Sequence, residues 1–232
     1  MTPADTLAPP ISATSSVDPF ALPSRYRSVS GRVQLVVKRV LDLLLAAIGI
    51  VILSPLLAAI AIAVLLTSGR PVLYPWKVVG RGGRYFTGYK FRTMVRDADA
   101  LMAKLAAQNE MSGPVFKMKR DPRVTPVGRI LRKLSLDELP QLWSVITGDM
   151  SLVGPRPPLQ TEWVRFEPWQ RRKLAVTPGI TCLWQAYGRS EITSFDEWVK
   201  MDIEYIERWS LALDARILVR TLKVVALAKG AH

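Results

Sequence analysis

The 232-residue sequence predicts an α-rich α+β protein seated on a membrane: monotopic, with a re-entrant helix–break–helix anchor and a cytoplasmic domain containing a small β-hairpin. Three observations lead there. Residues 43–66 carry no charged side chain and hold Ser54-Pro55 at their midpoint. Basic residues crowd both ends of that run. Two strand-like runs meet across Gly82-Gly83, and most of the chain beyond them has helical periodicity.

Residues 1–30 are rich in Pro, Ser, Thr and Ala and read as a disordered tail. No basic residue precedes Arg25 and no apolar core follows Met1, so a signal peptide is not expected. Residues 31–68 form the anchor. A straight helix over residues 43–66 would be roughly 36 Å long, against about 30 Å for a bilayer core. Pro55 removes a backbone donor and crowds the preceding turn. Arg25, Arg27, Arg32, Lys38 and Arg39 lie before the run. Arg70, Lys77, Arg81, Arg84, Lys90, Arg92 and Arg96 come after it, ahead of the first acid, Asp97. Lys and Arg favour the cytoplasmic side, so a simple span satisfies one end and a segment that breaks at Ser54-Pro55 and returns satisfies both. Backbone groups freed at the break need protein, Ser54 or water to bond them. A kinked transmembrane helix and a buried helix pair are the alternatives.

Residues 69–232 form the remaining domain. Residues 72–79 and 85–91 read as the hairpin, and residues 97–110 as a helix with acids at its start. Residues 111–126 are a polar connection. Residues 127–146 have helical spacing interrupted by Pro140, residues 148–158 a loop, and residues 162–174 a helix. Thr177-Pro178-Gly179 is a turn, and residues 195–209 and 211–228 are helices. The last sets Leu211, Ile217, Leu218, Leu222 and Val225 against Arg216, Arg220 and Lys223, a pattern of a packed or an interfacial helix.

Composition limits the chemistry. The net charge of +13 suits nucleic acid, anionic lipid or phosphorylated substrates. The apolar run shifts the weight to lipid. Cys182 and His232 are the only residues of their kinds. An intrachain disulfide, a Ser-His-Asp triad, a Cys-His pair and a His-based zinc site are therefore excluded. An acid, base or nucleophile must come from a carboxylate, Lys, Tyr, Ser or Thr.

The sharpest cluster is residues 129–143, where Arg129, Arg132 and Lys133 precede Ser135, the adjacent carboxylates Asp137 and Glu138, and Pro140. Ser135-x-x-Glu138 matches a capping box, but that register places Pro140 where a helical N–H is needed. A cap at Asp137 brings Pro140 into the first turn. In either register the helix dipole favours an anionic Asp137. A cap and an active site stand level on spacing alone. Lys90-Phe91-Arg92, Asp121-Pro122-Arg123 and Gly154-Pro155-Arg156-Pro157 offer further cations whose forked or point charges suit phosphate. No Walker-type loop and no Gly-x-Gly-x-x-Gly is present.

Taken in order, these words resemble a known family. They are Lys38-Arg39-x-x-Asp42, Ser54-Pro55, Tyr89-Lys90-Phe91-Arg92-Thr93-Met94, Asp121-Pro122-Arg123-Val124-Thr125, Ser135-Leu-Asp137-Glu138-Leu-Pro-Gln-Leu-Trp143, residues 148–157, and residues 178–185 with Gly188-Arg189. The chain, from about residue 35 to its end, is similar to the bacterial sugar transferases that start glycan assembly on a lipid carrier, the polyprenyl-phosphate sugar-1-phosphate transferases. One departure is Cys182, where the family pattern has glycine. The resemblance implies transfer of sugar 1-phosphate from a UDP-sugar to undecaprenyl phosphate with release of UMP. It implies Asp137 as nucleophile, a phosphosugar-aspartyl intermediate, and Mg²⁺ held by Asp137 and Glu138. Glu138 serves either metal binding or proton handling. The expected phosphate-binding set is Lys90, Arg92, Arg123, Arg132, Arg156 and Arg189, with Asp121 and Asp149 as turn residues.

The motif endings resemble the exopolysaccharide and O-antigen branch, which implies UDP-glucose or UDP-galactose. The implied place is the cytoplasmic face of the bacterial inner membrane, with membrane lipids as partners and no nucleic acid. A homodimer is compatible with the sequence, which does not set the oligomeric state. A basic membrane-attached scaffold is the rival reading, and it leaves the adjacent acids and the arginine turns without a purpose.

Overall fold

A computed structural model describes residues 18–187 and 192–227. Most of the tail expected over residues 1–30, and both Arg189 and His232, lie outside the described residues. From residue 18 onward, however, the chain is docked. Phe20 stacks on Trp163, with ring centroids 6.4 Å apart. Within α1 (Ser24–Arg27), Tyr26 stacks on Trp209 at 5.1 Å and donates its hydroxyl to the Ile206 carbonyl at 3.0 Å. The polar average of residues 1–30 hides these two aromatic anchors.

Helix α2 (Val29–Ser68) is a single helix with Pro55 inside it, so the expected helix–break–helix appears as one continuous element. The local reason is visible. Pro55 has no N–H to give the Val51 carbonyl four residues back, and the Ser54 hydroxyl donates to that same carbonyl at 2.8 Å. One stripe of α2 packs inward through Asp42, Ala46, Ile60 and Val64, while Leu44, Leu45, Ile48, Val51, Ile52 and Leu66 are exposed. It is the one described helix long and apolar enough to cross a membrane.

Strands β1 (Leu73–Val79) and β2 (Tyr85–Phe91) form the expected antiparallel hairpin, with Tyr74 opposite Lys90, Trp76 opposite Gly88 and Val78 opposite Phe86. Gly82 and Gly83, with φ of 67° and 83°, make its turn, where a side chain would be strained. Period-two alternation puts Trp76, Val78, Gly88 and Lys90 on the inner face.

After α3 (Ala98–Leu105) comes α4 (Pro126–Lys133), capped by Thr125, whose hydroxyl oxygen accepts the Gly128 N–H at 3.0 Å. A 3₁₀ turn (Leu136–Gln141) holds the interrupting Pro140 and leads into α5 (Leu142–Thr147). The loop expected over residues 148–158 contains β3 (Ser151–Val153). The helix expected over residues 162–174 is divided around Pro168 into α6 (Gln160–Trp163) and a 3₁₀ turn (Gln170–Leu174). Strand β4 (Gly179–Thr181) runs parallel to β3, with Ser151 opposite Gly179. A side chain on Gly179 would run into the backbone of Gly154, so this pairing requires glycine.

Helix α7 (Leu183–Tyr187) was not expected; α8 (Phe195–Arg208) and α9 (Leu211–Ala226) match expectation. Trp184 and Trp198 stack at 4.1 Å in one core, alongside Trp163, Phe166 and Phe195. A second core joins Tyr26, Val153, Tyr205, Trp209 and Ile217. Helix α9 is thus packed through Ile217, with Val219 and Leu222 exposed.

These cores fasten both ends of α2 to one body. Near its start, Lys38 reaches Asp214 at 2.6 Å and the Val153 carbonyl at 3.0 Å, and Arg39 donates to the Val145 carbonyl at 2.7 Å. Asp42 accepts the Ser151 hydroxyl at 2.7 Å. At its end, buried Arg92 donates to the Ser68 and Gly69 carbonyls, which have no helical N–H left to accept.

Candidate active site

The 3₁₀ turn between α4 and α5 carries the adjacent carboxylates. Ser135 enters it in the left-handed region, at φ 55°, and its side chain makes no capping bond. Neither expected cap register forms. Glu138, only 9% exposed, turns inward instead. Its Oε1 accepts from Lys90 Nζ at 2.7 Å and from Arg156 Nη2 at 3.1 Å. Lys90 comes from the inner face of β2, and Arg156 from the loop after β3. Three separate elements therefore converge on one oxygen.

Asp137 is half-buried beside this clamp. Burial, and next the charge of Glu138, push its carboxyl above the ordinary aspartate range, while Lys90, Arg132 and Arg156 pull it down. Lys90 is pushed below the usual lysine range by burial, with Glu138 opposing. Arg132 is steadied through its Nε, which donates to the Thr93 hydroxyl at 2.9 Å. The arrangement is a carboxylate at the edge of an electropositive cradle, with a second carboxylate already held by two cations. It suits an anionic ligand that approaches Asp137.

The structure brings together Asp137, Glu138, Lys90, Arg132 and Arg156. It gives other partners to two expected phosphate ligands. Arg92 closes the end of α2. Arg123 is buried and grips Asp121 through Nε at 2.9 Å and Nη2 at 2.6 Å, with a further bond to the Ala98 carbonyl at 3.4 Å. The carbonyls that take Arg92 are invisible in the spacing, whereas Asp121 stands two residues from Arg123 in the sequence. Asp121 is thus a turn residue, as expected, and so is Asp149, which accepts from Thr147 at 2.8 Å and pairs with Arg84 at 3.3 Å.

The turn also has a defined place beside α2. Leu136 packs in the cluster of Leu57, Ile60 and Val64, while Leu142 packs with Ala46, Ile50 and Leu53. The carboxylates therefore sit where the turn bridges the two halves of α2, at the level of Ser54-Pro55, whose side chains are exposed.

Sequence reasoning missed Trp76, whose ring lies beneath Lys90. Its alternation with Val78 on the hairpin was the available signal. It also missed the buried Lys173–Asp202 pair at 2.7 Å, for which nothing in the spacing speaks. Among the described residues no three His, Cys, Asp or Glu form a metal cluster. The oxygen donors offered at this turn are the Asp137 carboxylate and a Glu138 carboxylate engaged by Lys90 and Arg156, and Mg²⁺ commonly takes one or two carboxylates with substrate phosphates and water.

Comparison with known proteins adds to this geometry. Residues 33–228 match the family described as "Bacterial sugar transferase". The chain is 46% identical over 197 residues to the galactosyl transferase CpsE of Streptococcus agalactiae, covering 85% of this chain and 44% of that protein. It is 41% identical over 199 residues to the undecaprenyl-phosphate galactose phosphotransferase of Salmonella typhimurium, covering 84% of this chain and 41% of that protein. It is 37% identical over 229 residues to the exopolysaccharide production protein ExoY of Rhizobium meliloti, covering 95% of this chain and 99% of that protein. The chain thus spans less than half of the first two relatives and nearly all of the third.

Proposed function

The chain belongs to the bacterial sugar transferase family, and from that premise we propose that it transfers sugar 1-phosphate from a UDP-sugar to undecaprenyl phosphate, starting exopolysaccharide or O-antigen assembly. UDP-galactose and UDP-glucose are the donors, with galactose first because two similar relatives are named for it. The observation that carries the reading is the division of the two carboxylates. Glu138 is clamped by Lys90 and Arg156, and Asp137 stands beside it at the edge of the cradle.

In the proposed mechanism Asp137 attacks the phosphorus that bears the sugar. The diphosphate bridge breaks, UMP leaves, and the sugar phosphate remains on Asp137 as an acyl phosphate, the phosphosugar-aspartyl intermediate. The phosphate of the lipid then attacks the same phosphorus, forming the sugar–diphosphate–lipid and freeing the Asp137 carboxylate. Arg132, Lys90 and Arg156 offset the charge gathered around the transferred group. Asp137 and Glu138 are the residues that would hold Mg²⁺, which when bound would supply further charge neutralisation. Such a two-step route gives ping-pong kinetics. The purified chain, supplied with UDP-galactose, Mg²⁺ and undecaprenyl phosphate, is expected to release UMP and to build a sugar–lipid diphosphate. No UMP from either UDP-galactose or UDP-glucose would sink the reading.

The segment of residues 43–66 is proposed to associate with the cytoplasmic side of the bilayer without crossing it, as a continuous helix held along the folded body. Support comes from its two ends, since Lys38 to Asp42 and Ser68 to Gly69 are bonded to one folded body. A body bonded to both ends of the segment keeps those ends on one side. Cysteines placed at Ser30 and Pro75 in a Cys182→Ala background are expected to react with an impermeant reagent from the same side of inverted vesicles. Labelling from opposite sides would remove the one-sided reading and leave the chemistry untouched.

A further inference from the structure

Two of the cations in the cradle share more than Glu138. Lys90 Nζ lies 3.8 Å from the ring centroid of Trp76, and the Arg156 guanidinium carbon lies 5.7 Å from the same ring. Trp76 is 7% exposed, and the Lys90 side chain is 15% exposed. The register explains the contact. Tyr74 faces Lys90 across the hairpin, so Trp76, two residues further along β1, sits diagonal to Lys90 on the inner face. A lysine has a long, freely rotating stem, and one bond to Glu138 leaves its ammonium able to swing away. An aromatic face below the nitrogen narrows that freedom and stabilises the charge where water is scarce.

We infer that Trp76 is a positioning residue: its ring face holds the Lys90 ammonium against Glu138, and flanks Arg156, so that the cradle is set before the donor arrives. The role rests on the transferase reading for its effect on turnover, but its structural part can be measured without turnover. It acts through Lys90 and Arg156 and has no contact with the reacting atoms.

The test uses the full-length chain with Trp76→Phe, Trp76→Leu and Trp76→Met. Competitive amine labelling followed by mass spectrometry reads the reactivity of each lysine. Lys173, which is 4% exposed in another part of the fold, reports general loosening. In the Leu and Met variants Lys90 labelling is expected to rise about tenfold, the scale of a desolvated cation–π contact, with Lys173 unchanged. Trp76→Phe restores protection. The kcat for UMP release falls about tenfold in the Leu and Met variants while the donor KM stays within about twofold, and Phe restores it.

The inference is overturned if Lys90 stays protected in both non-aromatic variants, or if Phe fails to restore protection. It is also overturned if Lys173 loosens together with Lys90, since the ring then only packs. Selective exposure of Lys90 with unchanged kcat overturns the positioning role as well. A wild-type chain that releases no UMP counts against the transferase reading instead, and the labelling arm still decides the place of Lys90.

Discussion

Asp137→Asn is expected to abolish UMP release, by on the order of a thousandfold or more, while the melting temperature stays within a few degrees of wild type. The amide keeps the shape of the carboxylate and loses the anionic nucleophile. Asp137 is half-buried, and among the described residues no ion pair holds it, whereas Glu138 has two. Its loss should therefore cost little stability. The readout that separates this role from simple donor binding is a single-turnover experiment with donor alone. Wild type is expected to release about one UMP per active chain and to retain the phosphosugar, as a covalent intermediate demands. Asp137→Asn should show neither. Because burial and Glu138 raise the Asp137 carboxyl above its ordinary value, the burst should grow as the pH climbs through that raised value. A full burst in Asp137→Asn would refute the nucleophile assignment.

Glu138→Gln is expected to lower kcat by about a hundredfold and also to destabilise the chain. The two effects have one source. Glu138 Oε1 is the shared acceptor for Lys90 and Arg156, so the neutral amide leaves two cations close together in a poorly hydrated place. Removing one partner of such a cluster is worse than never having built it. The burst with donor alone should survive in amplitude and slow in rate, because the nucleophile remains and its surroundings are displaced. Adding Lys90→Met to Glu138→Gln should recover part of the lost stability by removing one stranded cation. Wild-type stability together with wild-type kcat in Glu138→Gln would show that the clamp has no functional weight.

Much of the site is legible in the sequence. The adjacent carboxylates with cations upstream mark the turn, and Lys90 and Arg156 are among the cations expected near it. The misplaced residues have physical causes. Arg92 and Arg123 are expected at phosphate because an arginine in a rigid loop presents a fork of donors. A helix end supplies unsatisfied carbonyls to Arg92, however, and Asp121 sits close enough to occupy Arg123. Ser135 looks like a capping residue by spacing, but its backbone is left-handed there and its side chain makes no capping bond. The β3–β4 pair escapes notice because strands of three residues carry almost no periodicity, and their pairing joins Ser151 with Gly179, far apart along the chain.

The anchor shows where the two kinds of information divide. An uncharged run, its basic flanks and the Ser54-Pro55 pair are one-dimensional facts, and they are enough to predict one long apolar helix and to nominate Ser54 for the freed carbonyl. They cannot say where the ends of α2 are fastened. That depends on Lys38 finding Asp214, Asp42 finding Ser151, and Arg92 finding the last carbonyls of the helix. The same holds for the chemistry. Local spacing marks Asp137 and Glu138 as a pair but leaves them equivalent. Only folding makes them different, because hairpin and loop deliver Lys90 and Arg156 to one carboxylate and leave the other at the edge. A charge's environment is built from contacts distant in sequence, so the difference in surroundings between two adjacent acids is a property of the tertiary structure.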